Sequence, residues 1–146
     1  MKVHRIDHVG IIVNDLPAAK AFFLDLGLEM MGAGAVEGEW AERIIGLQDV
    51  KAEVIMLRTP DGEAKIELSK FHSPTDENGI QRSLANTLGI RHITFAVEDL
   101  EAIVAKLKKN GAELVGEIQT YENTYKLCYI RGPEGIILEL AEQLEK

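Results

Sequence analysis

The chain is short of cysteine, long apolar runs and positive charge, and each shortage excludes something. Cys128 is the single cysteine among 146 residues, so no disulfide can close within the chain and a reducing, cytoplasmic setting is expected. No apolar run approaches the roughly 18 residues that a bilayer crossing needs. The N-terminus enters a strand-like pattern without the basic and apolar regions of a signal peptide, so no membrane partner is expected. Lys and Arg number 16 against 24 Asp and Glu, a net charge of −8. That balance leaves no basic face for phosphates and argues against a nucleic-acid partner. What remains is an ordinary globular composition, and the length suits one domain or two small modules sharing a core.

What is present is a repeat. The stretch Ile6-Asp7-His8-Val9-Gly10-Ile11-Ile12-Val13-Asn14-Asp15-Leu16 returns as Ile90-Arg91-His92-Ile93-Thr94-Phe95-Ala96-Val97-Glu98-Asp99-Leu100. Five positions are identical at a constant offset of 84: Ile6/Ile90, His8/His92, Val13/Val97, Asp15/Asp99 and Leu16/Leu100. Downstream, Pro60-Asp61-Gly62 leads to Ile66-Glu67-Leu68, and Pro133-Glu134-Gly135 leads to Leu138-Glu139-Leu140. Each half opens with a histidine in a strand and closes with a glutamate in a strand. Two histidines and two glutamates make a candidate metal site.

Taken in order, residues 3–13 read as a strand, with Ile6, His8, Gly10 and Ile12 on one face and Asp7, Val9, Ile11 and Val13 on the other. Asn14 or Asp15 can cap a helix with Pro17 in its first turn and an apolar stripe of Leu16, Ala19, Phe22, Phe23 and Leu26, which Gly27 stops. Strands are expected at 28–33, 50–57 and 64–69, with a polar loop from Gly34 to Gly46 that carries Trp40 and Arg43. A turn at 59–62 is set by Pro60-Asp61-Gly62. Residues 71–88 read as a linker. In the second half the strand 90–97 leads to a helix capped by Asp99, with the stripe Leu100, Ile103, Val104 and Leu107. Strands near 113–118, 127–130 and 136–140 follow. Each half is β-α-β-β-β, so the fold class is α+β. One face of each sheet goes under its helix, and the other carries His8, Glu67, His92 and Glu139 among small or polar neighbours. Such a face suits a cavity better than a packed core, and two modules edge to edge would enclose one site.

These openings and closings resemble the vicinal oxygen chelate superfamily, the glyoxalase, bleomycin-resistance and extradiol-dioxygenase group, over residues 3–142. The resemblance implies a single domain over 1–146, with module 1 at 3–70, a linker at 71–88 and module 2 at 89–142. The two tandem modules would form a cupped mixed sheet around a divalent metal. Carried over by position, the ligands are His8, Glu67, His92 and Glu139, a set similar to that of glyoxalase I. Methylmalonyl-CoA epimerase looks similar in layout but typically has glutamine where Glu67 stands. Extradiol dioxygenases and fosfomycin-resistance enzymes would be expected to have histidine there. The chain also departs from glyoxalase I. No asparagine follows Glu67 to hold glutathione, and Arg5 stands three residues before His8 rather than a few after it. Both departures weigh against a glutathione adduct as substrate. A homodimer is expected from the resemblance.

Two imidazoles and two carboxylates suit Ni²⁺, Zn²⁺, Co²⁺ or Mn²⁺, and Fe²⁺ less well. The expected chemistry is that of a metal-dependent lyase or isomerase acting on a small 2-oxo or 2-hydroxy carbonyl compound through a metal-stabilised enediolate, with Glu67 or Glu139 as the base. The alternatives are an extradiol-type dioxygenase and a non-catalytic binding protein of the bleomycin-resistance kind. Trp40, Arg43 and Tyr129, with Tyr121 and Tyr125, are candidate substrate contacts, Arg43 for a carboxylate or phosphate. His4 and His72 have no counterpart in the other half and read as surface histidines. Cys128, inside an apolar strand, reads as an inert buried thiol.

Overall fold

A computed structural model describes residues 1–144 of the chain. The chain is α+β and divides into two compact units, Met1–Gly79 and Ile80–Lys146, each with its own mixed sheet. The first unit runs β1 (Val9–Ile12), α1 (Leu16–Leu26), β2 (Glu29–Glu37), α2 (Glu39–Ile45), β3 (Lys51–Arg58) and β4 (Lys65–Ser73). Its sheet order is β1-β4-β3-β2. β1 pairs with β4 in parallel, and the other pairs are antiparallel.

The local signals explain α1. The Asp15 carboxylate accepts the Ala18 N–H at 3.0 Å, Pro17 sits in the first turn, and Gly27 follows the last residue at φ 121°, donating back to the carbonyls of Phe23 and Leu24. A positive φ of that kind is open to glycine at little steric cost. Leu16, Ala19, Phe22 and Phe23 are buried on one side of the helix, and the core they join includes Val13, Leu57, Ile66 and Leu68. Because successive strand residues alternate in face, burying Ile66 and Leu68 turns Glu67 the other way.

The second unit runs β5 (His92–Ala96), α3 (Leu100–Lys109), β6 (Glu113–Leu114), β7 (Gln119–Tyr121), β8 (Tyr125–Arg131), a single 3-10 turn (Pro133–Gly135) and β9 (Ile137–Gln143). The strand order is β5-β9-β8-β6, with β7 paired to β8. β5 and β9 are parallel, as β1 and β4 are in the first unit. Leu100, Val104 and Leu107 of α3 are buried, as are Ile130, Leu138 and Leu140 of the sheet, and Glu139 is again turned away from the helix side.

Several boundaries differ from the sequence reading. The first strand is four residues, Val9–Ile12, because its neighbour β4 begins only at Lys65 and the register starts at Val9↔Ile66. Residues 3–8 have no strand to pair with. β2 extends to Glu37 despite its glycines, since the backbones of Gly32 and Gly34 still pair with Met56 and Val54. The stretch expected as a loop is therefore the end of β2 followed by the helix α2, which Gly46 closes in the left-handed region. The strand expected near 113–118 is two short pieces, β6 and β7.

The cap of α3 also differs. Asp99 sits at φ 56° and makes no side-chain cap bond. The Glu142 carboxylate on β9 accepts the N–H groups of Leu100 at 3.0 Å and Asp99 at 3.3 Å instead. A helix N-terminus needs an acceptor, and a distant strand supplies it.

Residues 74–91 contain neither helix nor strand. In the second unit this segment is tied down by the buried Arg131, whose Nη1 donates to the carbonyls of Ser83 at 2.8 Å and Gly135 at 2.9 Å.

Candidate functional site

Each unit brings one histidine and one glutamate together. In the first, His8 stands immediately before β1 and Glu67 lies on the adjacent β4, level with Gly10. His8 Nε2 is 3.9 Å from Glu67 Oε2. In the second, His92 opens β5 and Glu139 lies on β9, level with Thr94. His92 Nε2 is 3.4 Å from Glu139 Oε1.

Both gaps are too long for good N–H···O hydrogen bonds. They are near the spacing of two donors that share one ion: metal–ligand distances of about 2.0–2.2 Å put tetrahedral neighbours roughly 3.3–3.6 Å apart. In each unit the donors, one imidazole and one carboxylate, are of the kind that a borderline divalent cation takes. All four side chains are partly exposed, from 19% for Glu139 to 38% for His8, so an ion can reach them. Among the described residues, no group of three or more His, Cys, Asp and Glu side chains is gathered as a metal cluster. The four expected ligands stand as two pairs, one in each unit.

The surroundings of the pairs are polar and oriented. Ser69, buried on β4, has its hydroxyl 3.3 Å from Glu67 Oε1. The Thr94 hydroxyl donates to Glu139 Oε1 at 2.9 Å. His8 Nδ1 is 2.9 Å from Asp7 Oδ2, and the other oxygen of Asp7 faces Arg5 Nη2 at 3.1 Å and Lys65 Nζ at 3.6 Å. Asp7 is held below the ordinary carboxylate range, first by the His8 hydrogen bond, then by Lys65 and Arg5. His92 has a different neighbour: the Tyr129 ring, with centroids 4.8 Å apart and planes tilted by 45°. Tyr129 is level with Glu139 across β8 and β9, so one tyrosine flanks both members of the second pair.

The other candidates lie elsewhere. Trp40 and Arg43 are on α2. Trp40 is largely exposed, and Arg43 pairs with Glu39 one turn earlier. Tyr121 and Tyr125 face each other across the β7–β8 pairing, both exposed. His72 lies 2.6 Å from Glu53 on the neighbouring strand. Cys128 is buried, and burial raises its thiol above the usual range. An open groove of about 620 Å³ beside α2 is lined by Glu37, Gly38, Glu42, Asp49, Val50, Lys51 and Ser73. It shares no residue with the histidine–glutamate pairs.

Asp7 was missed as a partner of His8 because strand periodicity puts adjacent residues on opposite faces. His8 lies outside β1, so that alternation does not reach it. The adjacency of Asp7 and His8 was the available signal.

A duplicated β-α-β-β-β protein with a histidine and a glutamate on the open face of each sheet is the class that fold and site define. The profile of the Glyoxalase/Bleomycin resistance protein/Dioxygenase superfamily matches residues 5–140, and the chain belongs to that superfamily. A glyoxalase family protein from Bacillus cereus superposes with a TM-score of 0.96 at 47% identity, over 99% of this chain and 97% of that one. The uncharacterized protein YwbC of Bacillus subtilis is 30% identical over 142 residues, 95% of this chain and 98% of its own length. FosX, a genomically encoded fosfomycin resistance protein from Listeria monocytogenes, shares the fold, with a TM-score of 0.63 at 16% identity over 97% and 94% of the two chains.

Proposed function

We propose that the protein is a metal-dependent lyase or isomerase acting on a small 2-oxo or 2-hydroxy carbonyl compound. The observation that carries this reading is the repeated pair, His8 with Glu67 at 3.9 Å and His92 with Glu139 at 3.4 Å. His8, Glu67, His92 and Glu139 are the residues that would hold Ni²⁺, Zn²⁺, Co²⁺ or Mn²⁺. The bound ion supplies Lewis acidity, which lowers the cost of negative charge growing on a substrate oxygen.

The chain's own groups do the rest. A carboxylate of Glu67 or Glu139 takes the proton from the carbon beside the substrate carbonyl and returns it at the neighbouring position. The Ser69 hydroxyl sits at Oε1 of Glu67, whose Oε2 faces His8; Thr94 and His92 both sit at Oε1 of Glu139, so its Oε2 would carry that proton. The Tyr129 ring against His92 gives an apolar wall on which a small substrate can rest.

The reading includes a homodimer. In it a second copy would cover Val3 and Ile6 of the first unit or Leu88 and Ile90 of the second, each more than three-quarters exposed.

Elemental analysis and turnover decide the reading together. The gently purified protein is expected to carry a divalent ion, and His8→Ala and Glu139→Ala variants are expected to lose it along with activity. Turnover should disappear on chelation and return with Ni²⁺ or Zn²⁺. Full turnover after complete metal removal would sink the proposal. Bound iron with oxygen consumption would replace it with the dioxygenase reading. Stoichiometric binding without conversion would replace it with the binding-protein reading.

A further inference from the structure

The two pairs are built differently around their histidines, although the sequence duplicates them. The residue before His8 is Asp7, and the residue before His92 is Arg91. Arg91 turns away along the backbone, its Nε donating to the Thr87 carbonyl at 2.9 Å and its Nη2 to the Leu88 carbonyl at 3.0 Å. Asp7 turns onto the imidazole, with Oδ2 at 2.9 Å from Nδ1.

An ionised carboxylate only accepts hydrogen bonds, so this contact requires the proton on Nδ1. Arg5 and Lys65 anchor the far oxygen of Asp7, which limits its freedom to swing away. With the proton on Nδ1, the neutral ring has its lone pair on Nε2, the atom that faces Glu67.

We infer that Asp7 is a positioning residue for the first pair: it holds His8 in the Nδ1–H tautomer and aims the Nε2 lone pair toward Glu67. The consequence for metal binding rests on the function proposed above; the hold on the ring does not. Partners of this kind change metal affinity by roughly 10–100-fold. Asp7 is more than half exposed, which puts the expected loss at the lower end, about tenfold. The second pair has no such carboxylate in its sequence position and depends on Thr94 and Tyr129 for its order.

The test uses the full-length, metal-free protein at pH 9. Long-range ¹H–¹⁵N spectra read the tautomer of each ring directly. Wild type is expected to show His8 in the Nδ1–H form. Asp7→Ala is expected to move His8 to the Nε2–H form that an unconstrained histidine side chain prefers, while His92 in the same spectrum stays unchanged. Asp7→Asn, whose side-chain oxygen still accepts, is expected to keep the Nδ1–H form. Competition against a chelator for Co²⁺ should then show about a tenfold weaker affinity in Asp7→Ala and a smaller loss in Asp7→Asn. A His8 tautomer that is the same in wild type and Asp7→Ala overturns the inference. So does a changed tautomer with Co²⁺ affinity within twofold of wild type. If wild type binds no divalent ion, the metal reading fails by itself, and the tautomer spectra still decide for or against Asp7.

Discussion

At the scale of single residues, position in the fold separates groups that the sequence lists side by side. Glu67 and Glu139 keep a face open to small ions because their neighbours Ile66, Leu68, Leu138 and Leu140 fill the core. Cys128 is the opposite case. Its neighbour Ile130, two residues along β8, is fully buried, and the thiol is buried with it. Burial raises it above the ordinary thiol range, and the thiolate is the reactive form. An aromatic disulfide reagent at pH 8 should therefore label native protein at least about a hundredfold more slowly than denatured protein, because labelling waits for opening of the sheet. Equal rates in the two states would contradict that burial. His8 shows the limit of periodicity as a guide. The alternation that sorted Asp7 onto the far face applies inside β1, and both residues stand just outside it.

At the scale of elements, the helices α1 and α3 have the same apolar logic and different caps. Asp15 closes α1 locally, as its place before Pro17 implies. For α3 the acceptor is Glu142, 42 residues from Leu100, and no local pattern points to it. The bonds from Leu100, then Asp99, together with Lys126, hold Glu142 below its ordinary value of 4.5. A depressed folded pKa means that the stabilisation is present above the unfolded value and lost as pH falls through the folded one. Glu142→Gln should therefore melt lower than wild type at pH 7, with the difference closing progressively as pH is lowered below about 4.5. Parallel thermal melts from pH 7 to pH 3 check this; a difference that persists or grows in acid contradicts it. The core stripe of α1, the turn at 59–62 and the two strands that flank it were all legible, because local chemistry sets each of them. The extent of β1 and β2 was not, since a strand's length depends on where its neighbour begins and ends.

At the scale of the whole molecule, the chain exposes apolar side chains that a solvated surface does not call for. Leu88 is 94% exposed and Ile90 is 88% exposed, both within the segment 74–91 that has no regular structure. If a second copy covers them, light scattering should give twice the mass of 16.2 kDa. A Leu88→Ser, Ile90→Ser variant should then shift toward monomer on dilution. A wild-type monomer at all concentrations would remove the dimer from the proposal. No helix among the described residues is long and apolar enough to cross a membrane.

The sequence by itself determined the duplication, the α+β class, the superfamily and the histidine–glutamate signature. Each of these rests on identities, turn residues and apolar spacing that act over a few residues. Tertiary structure alone decided which side chains meet across strands: Glu142 with the start of α3, Tyr129 with His92, and Arg131 with the carbonyl of Ser83. Those contacts depend on register and on where strands stop, and both are set by the pairing of distant segments rather than by any local pattern. The same dependence accounts for part of the difference between His8 and His92. The repeat specified both, but the sequence itself sets Asp7 beside His8 and Arg91 beside His92, whereas only strand packing brings Tyr129 to His92.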